Sequence, residues 1–109
     1  MFDFLKKLFG GGSSENLSPL IENGAFLVDV RTPFEFSGGS VKGAVNIPLD
    51  KVQNNLAKFK NKNQIIVFCR SGNRSGQAKS ILAQNGITNV TNGGTWQNVN
   101  QYVTNKNNK

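Results

Sequence analysis

The chain has no histidine, a single cysteine and, beyond residue 50, no acidic residue. Without histidine, Cys-His and Ser-His-Asp hydrolase chemistry is excluded. The soft ligands left are too few for a protein zinc site, so no metal is expected. One cysteine rules out an internal disulfide, and a chain of 109 residues must hold a single domain together by packing alone. Any chemistry has to run on one thiol, the arginines, a few carboxylates and backbone amides.

Charge is unevenly spread. The six acids (Asp3, Glu15, Glu22, Asp29, Glu35, Asp50) all lie in the first 50 positions, alongside four basic residues. The last 59 residues carry nine basic residues and no acid. That half suits a small anionic substrate, by steering and by stabilising negative charge. Lys51, Lys58, Lys60 and Lys62 read as solubilising surface charge. Basic residues spaced along helix and loops with little aromatic interleaving do not describe a nucleic-acid binder.

Three regions follow from composition: an amphipathic segment and Gly/Ser linker over 1–16, a domain over 17–103, and a polar tail over 104–109. Met1, Phe4, Leu5, Leu8 and Phe9 recur at helical spacing against Asp3, Lys6 and Lys7. The stretch is too short and too charged for a signal-peptide core, and far too short to span a bilayer. Docking on its own domain or on a second copy is expected rather than membrane association, in a cytoplasmic monomer or weak homodimer.

Within the domain, Ser18 reads as an N-cap with Pro19 at the first helical position, and Gly24 ends that helix. Phe26 to Val30 and Ala44 to Ile47 read as strands, with a helical turn over Pro33 to Phe36 between them. Leu49, Val52, Leu56 and Phe59 mark one helical face. Gln64 to Phe68 is a buried strand, Gly76 to Gly86 a helix, and Thr88 to Val90 a short strand. Asn92-Gly93-Gly94 reads as a turn into a last helix carrying Trp96, Val99 and Tyr102. Strands alternating with helices predict a three-layer α/β domain, a mostly parallel sheet covered on both faces.

Cys69 opens the run Cys69-Arg70-Ser71-Gly72-Asn73-Arg74-Ser75, between a strand and a helix. A thiol so placed faces loop N–H groups and the positive end of a helix, where an anion is stabilised. Gly72 tolerates the positive φ that a curled loop needs. Ser75 is the candidate cap of the following helix, and Arg74 is the first choice to face the anion. Arg31 and Glu35, four apart, are expected to pair, while Asp29 at a strand end ties neighbouring loops together. These three read as scaffold around the pocket. Trp96 reads as core, with Phe34 and Phe36 walling the pocket or packing. The bland alternatives are a buried structural thiol and two solvated arginines.

Four segments together resemble the single-domain rhodanese family of sulfurtransferases: Leu27-Val28-Asp29-Val30-Arg31 with Glu35-Phe36; Gly39 to Pro48; Val67 to Ser75; and Gly93-Gly94-Thr95-Trp96. Ser40 stands where that family usually has a histidine of generally structural role. The resemblance implies that Cys69 takes a sulfane sulfur as a persulfide, from an anionic donor such as thiosulfate. It then passes the sulfur to cyanide, a cellular thiol or a protein acceptor, with no cofactor. The rivals are a persulfide carrier, a redox sensor that docks on a partner, and a cysteine phosphatase. A phosphatase loop is wider, with arginine six positions after the cysteine; here that position is Ser75.

Overall fold

Ile65-Ile66-Val67-Phe68-Cys69 forms strand β3, buried at every position in the computed structural model, which describes residues 16–107. The N-terminal amphipathic segment and its Gly/Ser linker lie outside the described residues. A continuously apolar strand is what a sheet covered on both faces requires. Alternation splits its side chains between two cores. Ile65, Val67 and Cys69 pack with Val28, Val30, Val52, Phe59, Ala78 and Leu82. Ile66 and Phe68 pack on the opposite side with Leu17, Ile21, Val41, Val99 and Val103. Each such side chain, taken fully from water, contributes about 1.5–3 kcal/mol.

The other strands are β1 (Phe26–Asp29), β2 (Val45–Asn46) and β4 (Val90–Thr95). They form one four-stranded sheet in the order β2-β1-β3-β4, with every pairing parallel. The helices are α1 (Ser18–Glu22), α2 (Pro33–Ser37), α3 (Leu49–Val52), α4 (Asn73–Gln84) and α5 (Trp96–Asn107). A 3-10 helix over Gln53–Phe59 continues α3. The α3, 3-10 and α4 residues fill one core and those of α1 and α5 the other. The architecture is the expected three-layer α/β fold, its sheet parallel throughout.

Several local expectations need correction. Leu17, not Ser18, is the N-cap of α1, because the Asn16 side-chain carbonyl accepts the Ser18 N–H at 3.0 Å. The helix marked by Leu49 to Phe59 breaks at Asn55 (φ −128°, ψ 29°), yet its apolar residues still face one core. Thr104 to Asn107 are not a separate tail but the last turn of α5, with Val103 buried and Lys106 Nζ donating to the Ile21 carbonyl at 3.3 Å.

The largest departure is β4, which runs straight through the predicted turn at Asn92-Gly93-Gly94. Glycine here serves packing. A Cβ on Gly93 would lie 2.6 Å from Val99 Cγ2 and 2.9 Å from Ile66 Cγ2, so only hydrogen lets α5 close on β3. Gly94 (φ +81°) accommodates a bulge, since Val67 pairs with Asn92 whereas Cys69 pairs with Thr95. Gly93→Ala should therefore lower unfolding free energy by roughly 1–3 kcal/mol in urea melts, the usual overpacking cost.

Candidate active site

The strand order places β2 on one side of β1 and β3 on the other, so the chain reverses direction across the sheet between β1 and β3. In open α/β sheets the crevice at the carboxyl ends of such strands is the ligand site. Asp29 and Cys69 end those two strands here.

Cys69 Sγ accepts the Gly72 N–H at 3.0 Å and lies 3.4 Å from Ser75 Oγ. The turn that brings Gly72 back has φ +96°, and α4 starts immediately after it. Burial pushes the thiol up. The Ser75 hydroxyl and the N–H groups of Ser75, Ser71 and Gly72 pull it down, and the net effect is a thiol below its ordinary value. Because α4 begins at Asn73 rather than Gly76, its first-turn amides belong to the sulfur site. Ser75 is accordingly not the helix cap. It is buried in the first turn, and its hydroxyl donates to Asn92 Oδ1 at 2.6 Å.

The two arginines of the loop differ. Arg74 Nη1 and Nη2 fork onto Glu35 Oε1 and Oε2 at 2.7 and 3.0 Å. Arg70 is exposed and makes no hydrogen bond or ion pair among the described residues. Ser71 Oγ accepts the Asn73 N–H at 3.5 Å, and Asn73 Oδ1 accepts from Gln77 at the same distance, both on the exposed side.

The expected Arg31–Glu35 pair does not form. Arg31 precedes the N-cap Thr32, so it lies off the helical surface where residues four apart meet. Glu35 instead completes a capping box with Thr32. Arg31 reaches back to Asp29, with Nε 3.0 Å from both carboxylate oxygens and Nη2 2.7 Å from Oδ2. Asp29 also accepts the Arg31 N–H at 2.9 Å and the Ser40 hydroxyl at 2.7 Å. Arg31 Nη2 continues to the Gly39 carbonyl at 2.6 Å, and the guanidinium lies 5.3 Å over the Trp96 ring. Trp96 is half-buried against the α1–α5 core, and Phe36 is half-buried as well. Phe34 projects into solvent, 87 % exposed.

The Arg74 fork, then the Thr32 cap, holds the Glu35 carboxyl down at about 2. Glu35 in turn raises Arg74. A carboxylate depressed in the folded state stabilises it above the unfolded value, near ~4.3, and that contribution disappears as pH falls through 2. Stability should fall from pH 5 to pH 2 more steeply in the wild type than in Glu35→Gln. Thermal melts across that range check it; for a partly exposed pair the difference should be about 1 kcal/mol or less.

Sequence reading missed Asn46 and Asn92. Asn46 Nδ2 donates to the Asp29 and Arg31 carbonyls at 2.9 and 3.0 Å, tying the loop after β1 to β2. Asn92 reads as a turn residue from the sequence alone. The alternation of β4 that turns it to the α4 face of the sheet becomes visible only once Gly93-Gly94 is recognised as strand.

The family model of the rhodanese-like domain matches residues 13–95. The chain belongs to the rhodanese family. It is 44 % identical over 69 residues to the thiosulfate sulfurtransferase PspE of Escherichia coli, covering 62 % of this chain and 66 % of that protein. A Bacillus subtilis relative is 38 % identical over 68 residues, with 62 % of this chain and 54 % of that protein covered. The chain thus spans between about half and two thirds of these curated relatives. Among solved structures, an E. coli rhodanese with anions superposes at TM-score 0.63 and 37 % identity, over 68 % of this chain and 89 % of that one. In this rhodanese no helix among the described residues is long and apolar enough to cross a membrane.

Proposed function

We propose that this rhodanese is a sulfurtransferase that moves a sulfane sulfur from an anionic donor to a thiophilic acceptor through a Cys69 persulfide. The observation that carries the reading is the seat of Cys69 Sγ. It lies at a strand end under the curled loop, with the Gly72 N–H on the sulfur at 3.0 Å and Ser75 Oγ at 3.4 Å. Relatives named thiosulfate sulfurtransferase, among them PspE and the Pseudomonas aeruginosa GlpE, support it.

With thiosulfate as donor, the Cys69 thiolate attacks the outer sulfur. A new S–S bond forms, the old one breaks, and sulfite leaves with the electron pair. One negative charge remains on the terminal sulfur of the persulfide. An acceptor such as cyanide attacks that sulfur, thiocyanate departs and the thiolate returns. No proton changes hands in either half, so the lack of a histidine base costs nothing. The N–H groups of Ser71, Gly72 and Ser75 stabilise the thiolate. Arg70, the loop cation with no ion-pair partner among the described residues, meets the incoming dianion, and Arg74 is held to Glu35 as a support of the loop. An arginine so held does not fork a phosphate, which counts against the phosphatase reading. A nucleophilic thiol of this kind belongs in a reducing compartment, and we place the protein in the cytoplasm.

Incubation with thiosulfate followed by intact mass should show the gain of about one sulfur, lost again on adding cyanide with release of thiocyanate. Persulfide formation without turnover would favour a carrier. Failure to load from thiosulfate or any persulfide donor would overturn the proposal.

A further inference from the structure

The Asn92 side chain hydrogen-bonds both Ser75 and Gly72, two of the loop residues with an atom on Cys69 Sγ. Its Oδ1 accepts the Ser75 hydroxyl at 2.6 Å and the Gly94 N–H at 3.0 Å, and its Nδ2 donates to the Gly72 carbonyl at 3.0 Å. These partners determine the orientation of the amide. Turned over, it would set Nδ2 against the Gly94 N–H and Oδ1 against the Gly72 carbonyl.

Oδ1 can only accept, so the single Ser75 hydroxyl proton is the one in the 2.6 Å contact. Toward Sγ, 3.4 Å away, Ser75 Oγ then presents a lone pair. A lone pair suits a thiol, which donates S–H, and is wrong for a thiolate, which needs a donor. The cluster therefore has two arrangements. With the thiol, S–H points to Ser75 Oγ, whose proton points to Asn92. With the thiolate, the thiol proton has gone to solvent, the Ser75 hydroxyl has turned to S⁻, and Asn92 Oδ1 keeps the Gly94 N–H.

We propose that Asn92 is a positioning residue for sulfur transfer, acting on Cys69 through Ser75. It parks the hydroxyl proton while the sulfur is a thiol and yields it when the sulfur ionises. Through the Gly72 carbonyl it keeps the Gly72 N–H aimed at Sγ in both states. The catalytic consequence rests on the sulfur-transfer reading, in which the thiolate attacks; the hydrogen-bond relay does not. Among the described residues, the charged groups on the elements around Cys69 are Arg74, which interacts with Cys69 and forks to Glu35, the Asp29–Arg31 pair at the end of β1, and the exposed Arg70 in the loop. β4 contributes no ionisable side chain.

The test is a pH titration of the full-length protein carrying ¹³Cβ-labelled cysteine, which gives one resonance because Cys69 is the only cysteine. Asn92→Asp keeps acceptors for Ser75 and Gly94, holds the hydroxyl proton harder, gives up the bond to Gly72 and adds negative charge. It should raise the Cys69 midpoint by about one pH unit or more. In a Ser75→Ala background, the same change should raise it by clearly less, because the relay is already cut. An equal rise in both backgrounds, or no rise, would overturn the inference. Wild-type ¹⁵N spectra supply a check that needs no variant. The Asn92 side-chain amide and the Gly94 N–H should titrate with the Cys69 midpoint, and signals that stay still through it would equally overturn the inference. A protein that shows this coupling yet transfers no sulfur would keep the relay and lose the sulfur-transfer reading.

Discussion

Cys69→Ser should take thiosulfate-to-cyanide transfer to background, a loss on the order of 1,000-fold or more, with the fold intact. The serine hydroxyl is nearly isosteric with the thiol, so the Gly72 N–H keeps an acceptor and Ser75 Oγ keeps a hydrogen-bonding neighbour. What disappears is the nucleophile. A hydroxyl does not ionise near neutral pH, and the loop amides that favour a soft thiolate cannot bridge that gap. Removing the covalent nucleophile abolishes the whole two-step route rather than slowing one step. Steady-state assay, intact mass after thiosulfate and a thermal melt decide the matter together. Activity surviving in a folded Cys69→Ser protein would rule out the persulfide mechanism.

Asp29→Ala is the largest stability effect expected. Asp29 is fully buried and Arg31 is 5 % exposed. The carboxylate takes hydrogen bonds from the Arg31 backbone, the Arg31 guanidinium and Ser40. Removing it leaves a guanidinium charge in the interior with, among the described residues, only the Gly39 carbonyl and the Trp96 face as partners. Breaking a buried pair on one side costs roughly 3–5 kcal/mol, which lowers Tm by on the order of 10–20 °C in a domain of this size. Replacing both members should cost far less, because no charge is then stranded. Asp29→Ala with Arg31→Met should recover most of the lost stability in urea or thermal melts. If the double variant is as unstable as the single one, the loss comes from the loops that Asp29 orders rather than from the stranded charge.

Both predictions concern groups the sequence exposes by type, yet they differ in how far the sequence explains them. The Cys69 site is local. A β-branched apolar run, a cysteine, a glycine able to take φ +96° and a helix all follow one another within 20 residues, so the thiol under its loop amides could be read directly from the chain. The three-layer fold is legible for a similar reason, since the alternation of apolar strands and amphipathic helices is itself a local pattern. The partners of the charged and polar side chains are not local. Glu35 and Arg74 are 39 positions apart, and Ser75 and Asn92 are 17 apart. Each pair meets only because β1, β3 and β4 lie side by side with their carboxyl ends level. The same holds for Gly93-Gly94, which reads as a turn until α5 is seen pressing on β3. The sequence by itself therefore determined the architecture, the thiol at the end of β3 and the loop that curls over it. Which loop arginine is locked onto Glu35 and which amide takes the Ser75 hydroxyl were decided only by the tertiary structure, because long-range sheet register chooses hydrogen-bond partners that no short stretch of chain contains.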